Sequence, residues 1–153
     1  MLQQVLSDPS FSKEMKRHVK EVVSMLLQNG INFSLLTNVS EISFNPPLPF
    51  EIQSAFKPIT MFYLAGYTFE SCTVDEQELT FEAGFGPQNV GAFVSIPLLS
   101  VLQIIIEETP ILINLSVDTQ AIIQKETLGI KKSMEALLSN PENEKLLKDN
   151  KNS

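Results

Sequence analysis

The first hydrophobic pattern in the chain has helical spacing and covers residues 12–29. Its apolar positions, separated by four, three and four residues, are Met15, Val19, Val22 and Leu26. This spacing places them on one helix face, and charged residues occupy the opposite face. Ser10 or Ser12 can cap the beginning, and Gly30 stands where a left-handed residue commonly ends a helix. The sequence therefore predicts an amphipathic N-terminal helix.

The apolar face of this helix has two possible uses. It can pack on the chain's own sheet, or it can also meet a second copy of the chain. The pattern alone does not decide between them. Because the face is more apolar than one small sheet needs, we expect a homodimer whose interface is formed by Met15, Val19, Val22 and Leu26.

After Gly30 the pattern changes to the alternation of strands. In the stretch 78–85, for example, Leu79, Phe81, Ala83 and Phe85 alternate with polar or small residues. Five stretches are predicted as strands: 31–39, 59–67, 78–85, 92–96 and 111–117. The Pro-rich segment 46–58 is predicted to be a connection, because proline interrupts strand pairing. Gly86 to Asn89 is predicted to form a turn with positive φ at Gly and Asn.

Two further helical segments are predicted. Pro97 suits the first turn of a helix, so the apolar run 98–108 is expected to be a short helix. From Asp118 the chain is expected to form a separate helical or partly disordered tail. The predicted fold is therefore α+β: the N-terminal helix and a small antiparallel, partly closed β-barrel in residues 1–117, and the tail in residues 118–153.

The charge balance limits the classes of partner. The chain carries a formal net charge of −7. This opposes binding to a nucleic-acid backbone, which needs a basic surface, and opposes attachment to anionic lipid. The first residues lack the basic and then apolar layout of a signal peptide. We therefore expect a cytoplasmic protein that binds neither nucleic acid nor membrane.

Few residues suggest catalysis. The only histidine, His18, lies among basic residues on the predicted first helix, which is typical of a solvated position. The only cysteine, Cys72, lies in or beside a strand, where a buried and inert thiol is usual. Asp75, Glu76 and Glu78 lack the ligand spacing of a calcium loop and suit a solvated turn. The sequence thus predicts no enzyme, no cofactor and no metal site.

The central hairpin resembles the stringent starvation protein B (SspB) family. The stretches that carry the resemblance are DEQELTFEAGFG from Asp75, VSIPL from Val94 and SVLQI from Ser100. In that family an acidic turn, a Phe-x-Ala-x-Phe-Gly strand, a Val-x-Val-Pro-like strand and an apolar helix follow one another. MLLQNG from Met25 is also similar to the end of the family's first helix. The likeness covers residues 12–117.

The resemblance implies a non-enzymatic adaptor. Family members have an Sm-like barrel, dimerise through the first helix and hold an extended peptide tag in a groove on the sheet. A flexible C-terminal tail tethers them to the Clp unfoldase and its protease. The peptide-binding role would fall here on Ala83, Gly84, Phe85 and Gly86, where small residues allow close approach of another backbone.

This chain also departs from the family. It has Gly86-Pro87 where the family has Gly-Gly and an arginine, and its Pro-rich insert is unusual. These departures bear on the identity of the tag and of the protease partner. The alternative hypothesis is a small protein-assembly factor or chaperone, which would hold a partner protein with its apolar helical tail.

Overall fold

The computed structural model describes residues 1–117, together with the isolated positions 122 and 124. Its described part is α+β, with one long helix and two antiparallel sheets. The helices are α1 (Leu2–Leu6), α2 (Pro9–Gln28), α3 (Phe50–Gln53) and α4 (Tyr67–Glu70). The strands are β1 (Phe33–Asn38), β2 (Ser43–Asn45), β3 (Ile59–Leu64), β4 (Thr73–Val74), β5 (Glu78–Phe85), β6 (Val90–Pro97), β7 (Val101–Ile106) and β8 (Thr109–Ile113). The tail predicted from residue 118 lies outside the described residues.

The N-terminal amphipathic helix is confirmed as α2, and it begins three residues earlier than predicted, at Pro9 rather than residue 12. Asp8, not Ser10 or Ser12, caps it: the Asp8 carboxylate accepts a hydrogen bond from the Ser10 N–H at 2.8 Å. Pro9 fits the first helical position because the N–H it lacks would be unpaired there. At the other end Gly30 has φ +67°, which confirms the predicted left-handed residue after the helix.

The strands form two four-stranded sheets with the orders β3-β1-β7-β8 and β2-β6-β5-β4, hereafter the first and second sheet. Every pairing is antiparallel. The described strands do not close into a barrel, so the expected partly closed barrel is not confirmed. One hydrophobic core joins the two sheets to α2, with Val19, Val23 and Leu26 of α2 buried against strand residues such as Leu35 and Ile104.

The predicted apolar helix over residues 98–108 is wrong. Residues Leu98–Ser100 form one 3₁₀ turn, and Val101–Ile106 form strand β7. Four of the six β7 residues are β-branched, which favours a strand. A short apolar run cannot be assigned to helix or strand from its periodicity, and here pairing with β1 and β8 on either side determines the result.

The predicted boundaries of other strands need smaller corrections. β5 agrees with the predicted stretch 78–85 at both ends, whereas β3 ends at Leu64 instead of residue 67. The chain turns there at Gly66, which has φ +60°, and enters the short helix α4. The last strand is Thr109–Ile113, earlier than predicted. The Pro-rich connection contains α3, which the sequence analysis did not predict.

Candidate functional site

The β5–β6 hairpin has one face in the core and one face outside it. On the core face Phe81 pairs with Val94 and Ala83 with Ala92. Phe81, Val94 and Ala92 are buried, and Ala83 packs against the core from its margin. Because side chains alternate along a strand, the intervening positions face outward. Two of these outward pairs are Glu82 opposite Phe93 and Gly84 opposite Gly91.

A groove of about 330 Å³ lies over this outer face. The hairpin contributes its floor, the end of β2 contributes one side, and α4 contributes Tyr67. The lining residues are Asn45, Pro46, Tyr67, Glu82, Ala83, Gly84, Asn89, Gly91, Ala92 and Phe93. We refer to this surface as the hairpin groove.

Two paired glycines make the floor of the hairpin groove shallow, but they differ in what lies above them. A methyl group placed at Gly91 would have no heavy atom within 4 Å, so the space above Gly91 is open. A methyl group at Gly84 would lie 2.6 Å from Cγ of Asn89, so that side chain covers Gly84. Asn89 has φ +52° in the turn between the strands, as predicted. The open floor is therefore centred on Gly91.

Exposed aromatic rings and one carboxylate surround this floor. Tyr67 is 63% exposed and Phe93 is 49% exposed, which is high for large side chains that line a groove. The Tyr67 hydroxyl donates a hydrogen bond to the Glu82 carboxylate. The backbone N–H of Glu82 donates to Oγ of Ser71 at 3.0 Å, which ties β5 to the end of α4. These bonds fix Glu82 and Tyr67 relative to each other.

The groove also runs beside an incompletely paired strand edge. β2 pairs with β6 only at Phe93–Ser95, and the pairing stops at Asn45, before Pro46. Among the described strands, residues 90–92 of β6 therefore have β5 on one side and no strand on the other. Such an edge offers backbone N–H and C=O groups to an added strand. The groove thus combines apolar surface with a backbone edge.

The structure brings together only two of the four residues predicted to bind peptide. Gly84 and Ala83 line the hairpin groove, but the Ala83 side chain belongs to the core face. Phe85 packs against Phe44 and Phe56 in edge-on contacts, with ring centroids 5.6 and 5.9 Å apart. Phe85 and Gly86 do not line the groove. A methyl group at Gly86 would lie 2.9 Å from Cδ1 of Ile52, because α3 packs over this turn.

The groove residues that the sequence analysis missed come from three separate parts of the chain. Glu82 and Phe93 could have been found, since both are outward positions in the alternation of strands that were predicted. Tyr67 was assigned to the end of a strand and lies instead on α4. Asn45 and Pro46 are brought to the groove only by the pairing of β2 with β6. No local pattern indicated that pairing.

The predicted dimer-interface residues lie against the protein's own core. Val19 is fully buried and Leu26 is 1% exposed within the single chain. Met15 and Val22 are partly buried and pack against the same core. The structure thus shows the first of the two alternatives, a helix packed on its own sheets. A homodimer stays a prediction, and a contact through α2 would have to use surface beside this face.

A second exposed apolar surface lies on the outer face of the first sheet. Its exposed members are Met61 and Tyr63 of β3 and Ile111 and Ile113 of β8. They alternate with buried residues that face the core, such as Phe62 and Leu112. Ser34 and Gln103 also lie on this face, but none of its four strands contains a glycine, so it has no open floor like that of the hairpin groove. The groove is therefore the better candidate for specific recognition.

The residues considered for catalysis or metal binding, Cys72, Asp75 and His18, lie outside the hairpin groove. Cys72 is buried, and this burial raises the pKa of its thiol to about 12, so the thiol is protonated at neutral pH. The Asp75 carboxylate accepts the backbone N–H groups of Gln77 and Glu78 at 2.7 and 2.8 Å, which lowers its pKa. His18 is exposed on α2.

No family model and no curated protein matches the sequence. Among the described residues, no helix is both long enough and apolar enough to span a membrane.

Proposed function

We propose that this protein is a non-enzymatic adaptor that binds an extended peptide or protein segment in the hairpin groove. The observation that carries the proposal is the open floor at Gly91, bordered by the exposed rings of Tyr67 and Phe93. This arrangement suits a bound backbone with side chains on alternate sides. Backbone pairing would supply affinity, and the aromatic surface would select side chains.

The edge of β6 supports the same proposal. A peptide strand that continues the line of β2 beyond Asn45 would meet residues 90–92. The backbone of such a peptide would lie beside Gly91, and its outward side chains would lie over the open floor that Gly91 leaves. The hydrogen bonds of Glu82 to Tyr67 and Ser71 hold one side of the groove in place before a peptide binds. Such preorganisation lowers the entropic cost of binding.

The resemblance to the stringent starvation protein B family gives the proposal its finer form. The substrate would be a protein that carries a degradation tag, and the recipient would be a Clp unfoldase with its protease in the cytoplasm. The adaptor would act as a homodimer. The two sheets would correspond to an opened Sm-like barrel, and residues 118–153 would serve as the tether. These parts of the proposal rest on the resemblance alone.

The test uses a substitution at the groove floor. Gly91→Gln places a long side chain where the floor is open and where φ is not in the left-handed range, so the fold should tolerate it. Ser95→Gln is the matched control, because Ser95 lies outside the groove on the same face of β6. Fluorescently labelled protein would be applied to an array of random acetylated, amidated octapeptides. Thermal melts of all three proteins would verify folding.

We expect wild type and Ser95→Gln to bind the same peptides and Gly91→Gln to lose at least about tenfold in affinity, since its side chain fills the floor over which the peptide's outward side chains would lie. Equal binding by Gly91→Gln would contradict the proposal. So would the absence of any peptide bound by the wild type. The assembly-factor alternative depends on residues 118–153, which lie outside the described residues, and stays a second hypothesis.

A further inference from the structure

The charge of the hairpin groove suggests which peptides it selects. Of the ten described residues that line it, Glu82 is the one with a charged side chain. Glu82 is only half-buried, so its carboxylate is accessible to a ligand. The two ion pairs among residues 1–117 join Arg17 to Glu14 and Lys20 to Glu76, so in this part of the chain Glu82 has no cationic partner.

The groups around Glu82 would stabilise a cationic ligand group. The Tyr67 hydroxyl donates one hydrogen bond to the carboxylate, whose other acceptor positions have no partner among residues 1–117. Phe93 stands directly opposite Glu82 across the strand pair. A cationic side chain that reaches Glu82 would therefore also lie near two exposed aromatic rings, whose faces attract cations. The methylene stem of lysine or arginine would cover the apolar surface of the rings.

An anionic or neutral ligand gains less at this position. An acidic side chain over Gly91 would meet the Glu82 carboxylate, and the described lining residues include no basic group to offset the repulsion. The net charge of −7 further favours the approach of basic peptides, because long-range attraction raises the association rate. Asn45 and Asn89 can hydrogen-bond the backbone of any peptide, so they do not discriminate by charge.

We propose that the hairpin groove selects extended peptides with a basic side chain, lysine or arginine, placed against Glu82 between the rings of Tyr67 and Phe93. This inference rests on the proposed function and names the chemical class of its substrate. The ammonium or guanidinium group pairs with the carboxylate that Tyr67 orients. The adjoining peptide backbone lies beside Gly91, along the edge of β6.

The test compares the charge at one peptide position. Pools of acetylated, amidated octapeptides carry lysine, arginine, norleucine or glutamate at the central position and random residues elsewhere. Norleucine has nearly the length of lysine without its charge. We expect the lysine and arginine pools to bind about tenfold more tightly than the norleucine pool, and the glutamate pool to bind least. The preference should weaken at high salt.

Two variants connect the preference to Glu82. Glu82→Gln should lose most of the preference for lysine over norleucine, since only the weaker attraction of the two rings is left, and Glu82→Lys should prefer the glutamate pool. Glu78→Gln is the matched control, since Glu78 is outward-facing on the same strand and outside the groove, and it should keep the wild-type preference. An unacetylated norleucine pool tests the other possible cation, the free N-terminal ammonium group of the peptide. If it binds as tightly as the lysine pool, the groove recognises a peptide N-terminus and the side-chain proposal is overturned.

The two proposals fail in different ways. If all pools bind equally to the wild type and Gly91→Gln abolishes binding, the groove binds peptides but does not select a basic residue. If no pool binds the wild type, the proposed function itself fails, and the inference fails with it. If Glu82→Gln keeps a tenfold preference for lysine, another residue recognises the cation.

Discussion

Gly84 and Gly91 are paired across β5 and β6, yet only Gly91 has open space above it, because the side chain of Asn89 lies over Gly84. This difference between two paired residues of one kind gives the hairpin groove its shape. The opening lies toward Gly91 and the unpaired edge of β6, and the side toward the turn is filled. Identical residues in the sequence therefore have different roles, which only the turn conformation reveals.

The first prediction compares alanine at these two positions. Gly91→Ala should leave the free energy of unfolding unchanged or raise it by about 0.4–1 kcal/mol, because alanine restricts the unfolded chain. Gly84→Ala should lower it by about 1 kcal/mol, since the new methyl group displaces the Asn89 side chain. Urea denaturation measures both.

A double substitution verifies the cause. Asn89→Gly removes the obstructing side chain and suits the positive φ of that position. If Gly84→Ala costs as much in an Asn89→Gly background as in the wild type, then the obstruction is not the reason. A loss of the penalty in that background would confirm the contact.

The second prediction concerns the β7–β8 turn. Glu107 and Glu108 have φ +50° and +72°, a conformation that favours Asn-Gly in two-residue hairpins and disfavours a residue with a long side chain. Replacing both residues by Asn-Gly should raise the free energy of unfolding by about 1 kcal/mol. Urea denaturation measures the gain.

Its control separates backbone strain from charge. Glu107→Gln with Glu108→Gln removes both charges but keeps the unfavourable conformation, so stability should change little. A gain as large in the Gln-Gln protein as in the Asn-Gly protein would attribute the effect to repulsion between the adjacent carboxylates.

Several of these elements could be predicted from the sequence, because each depends on a pattern within one short segment of the chain. The 3.6-residue period identified α2, and the alternation in residues 78–85 located β5 at both ends. The positive φ at Gly86 and Asn89 followed from turn chemistry. The error over residues 98–108 has a physical reason: a run with apolar residues on all sides fits both a buried helix and a strand with neighbours on both sides.

Only part of the groove could be predicted, because its residues come from separate parts of the chain. Its floor belongs to one hairpin, which the sequence located, but its sides come from α4 and from the end of β2. Tyr67 and Asn45 are distant from the hairpin in the chain and reach it through tertiary packing. Whether Ala83 belongs to a binding surface depends on which face of β5 is buried. The structure places the Ala83 side chain on the face that packs against the core.

The third prediction concerns Cys72. Burial raises the pKa of its thiol to about 12, well above the ordinary value. We expect native protein at pH 8 to react with a thiol reagent far more slowly than urea-unfolded protein, because the thiolate is the reactive form. A reaction at the unfolded rate under native conditions would contradict the burial of this residue.

The same shift predicts a pH dependence of stability. Above about pH 9 the unfolded thiol loses its proton while the folded thiol keeps it, so the folded state binds more protons and stability falls as pH rises toward 12. Below the unfolded pKa the thiol is protonated in both states, so it contributes no pH dependence there. The Cys72→Ala protein should lose less stability between pH 8 and pH 10 than the wild type. Equal slopes in urea denaturation would rule out this contribution.

The last prediction addresses the predicted homodimer through α2. Leu26 is 1% exposed within the single chain, whereas the neighbouring Met25 is 44% exposed on the same helix. Leu26→Ala should lower the free energy of unfolding by about 2–5 kcal/mol, because it leaves a cavity in the chain's own core. Since that cost lies within one chain, it should be the same at every protein concentration. Met25→Ala is the matched control and should change stability little.

Thermal melts at low and high micromolar concentration test whether α2 contacts a second copy of the chain. Light scattering of the same samples gives the oligomeric state. Mass action makes the melting temperature of a dimer rise with concentration. If the wild type behaves as a dimer and Met25→Ala weakens that dependence, then α2 contacts a second copy through its exposed surface. If the cost of Leu26→Ala shrinks as concentration rises, then Leu26 belongs to a subunit contact and its assignment to the core of a single chain is wrong.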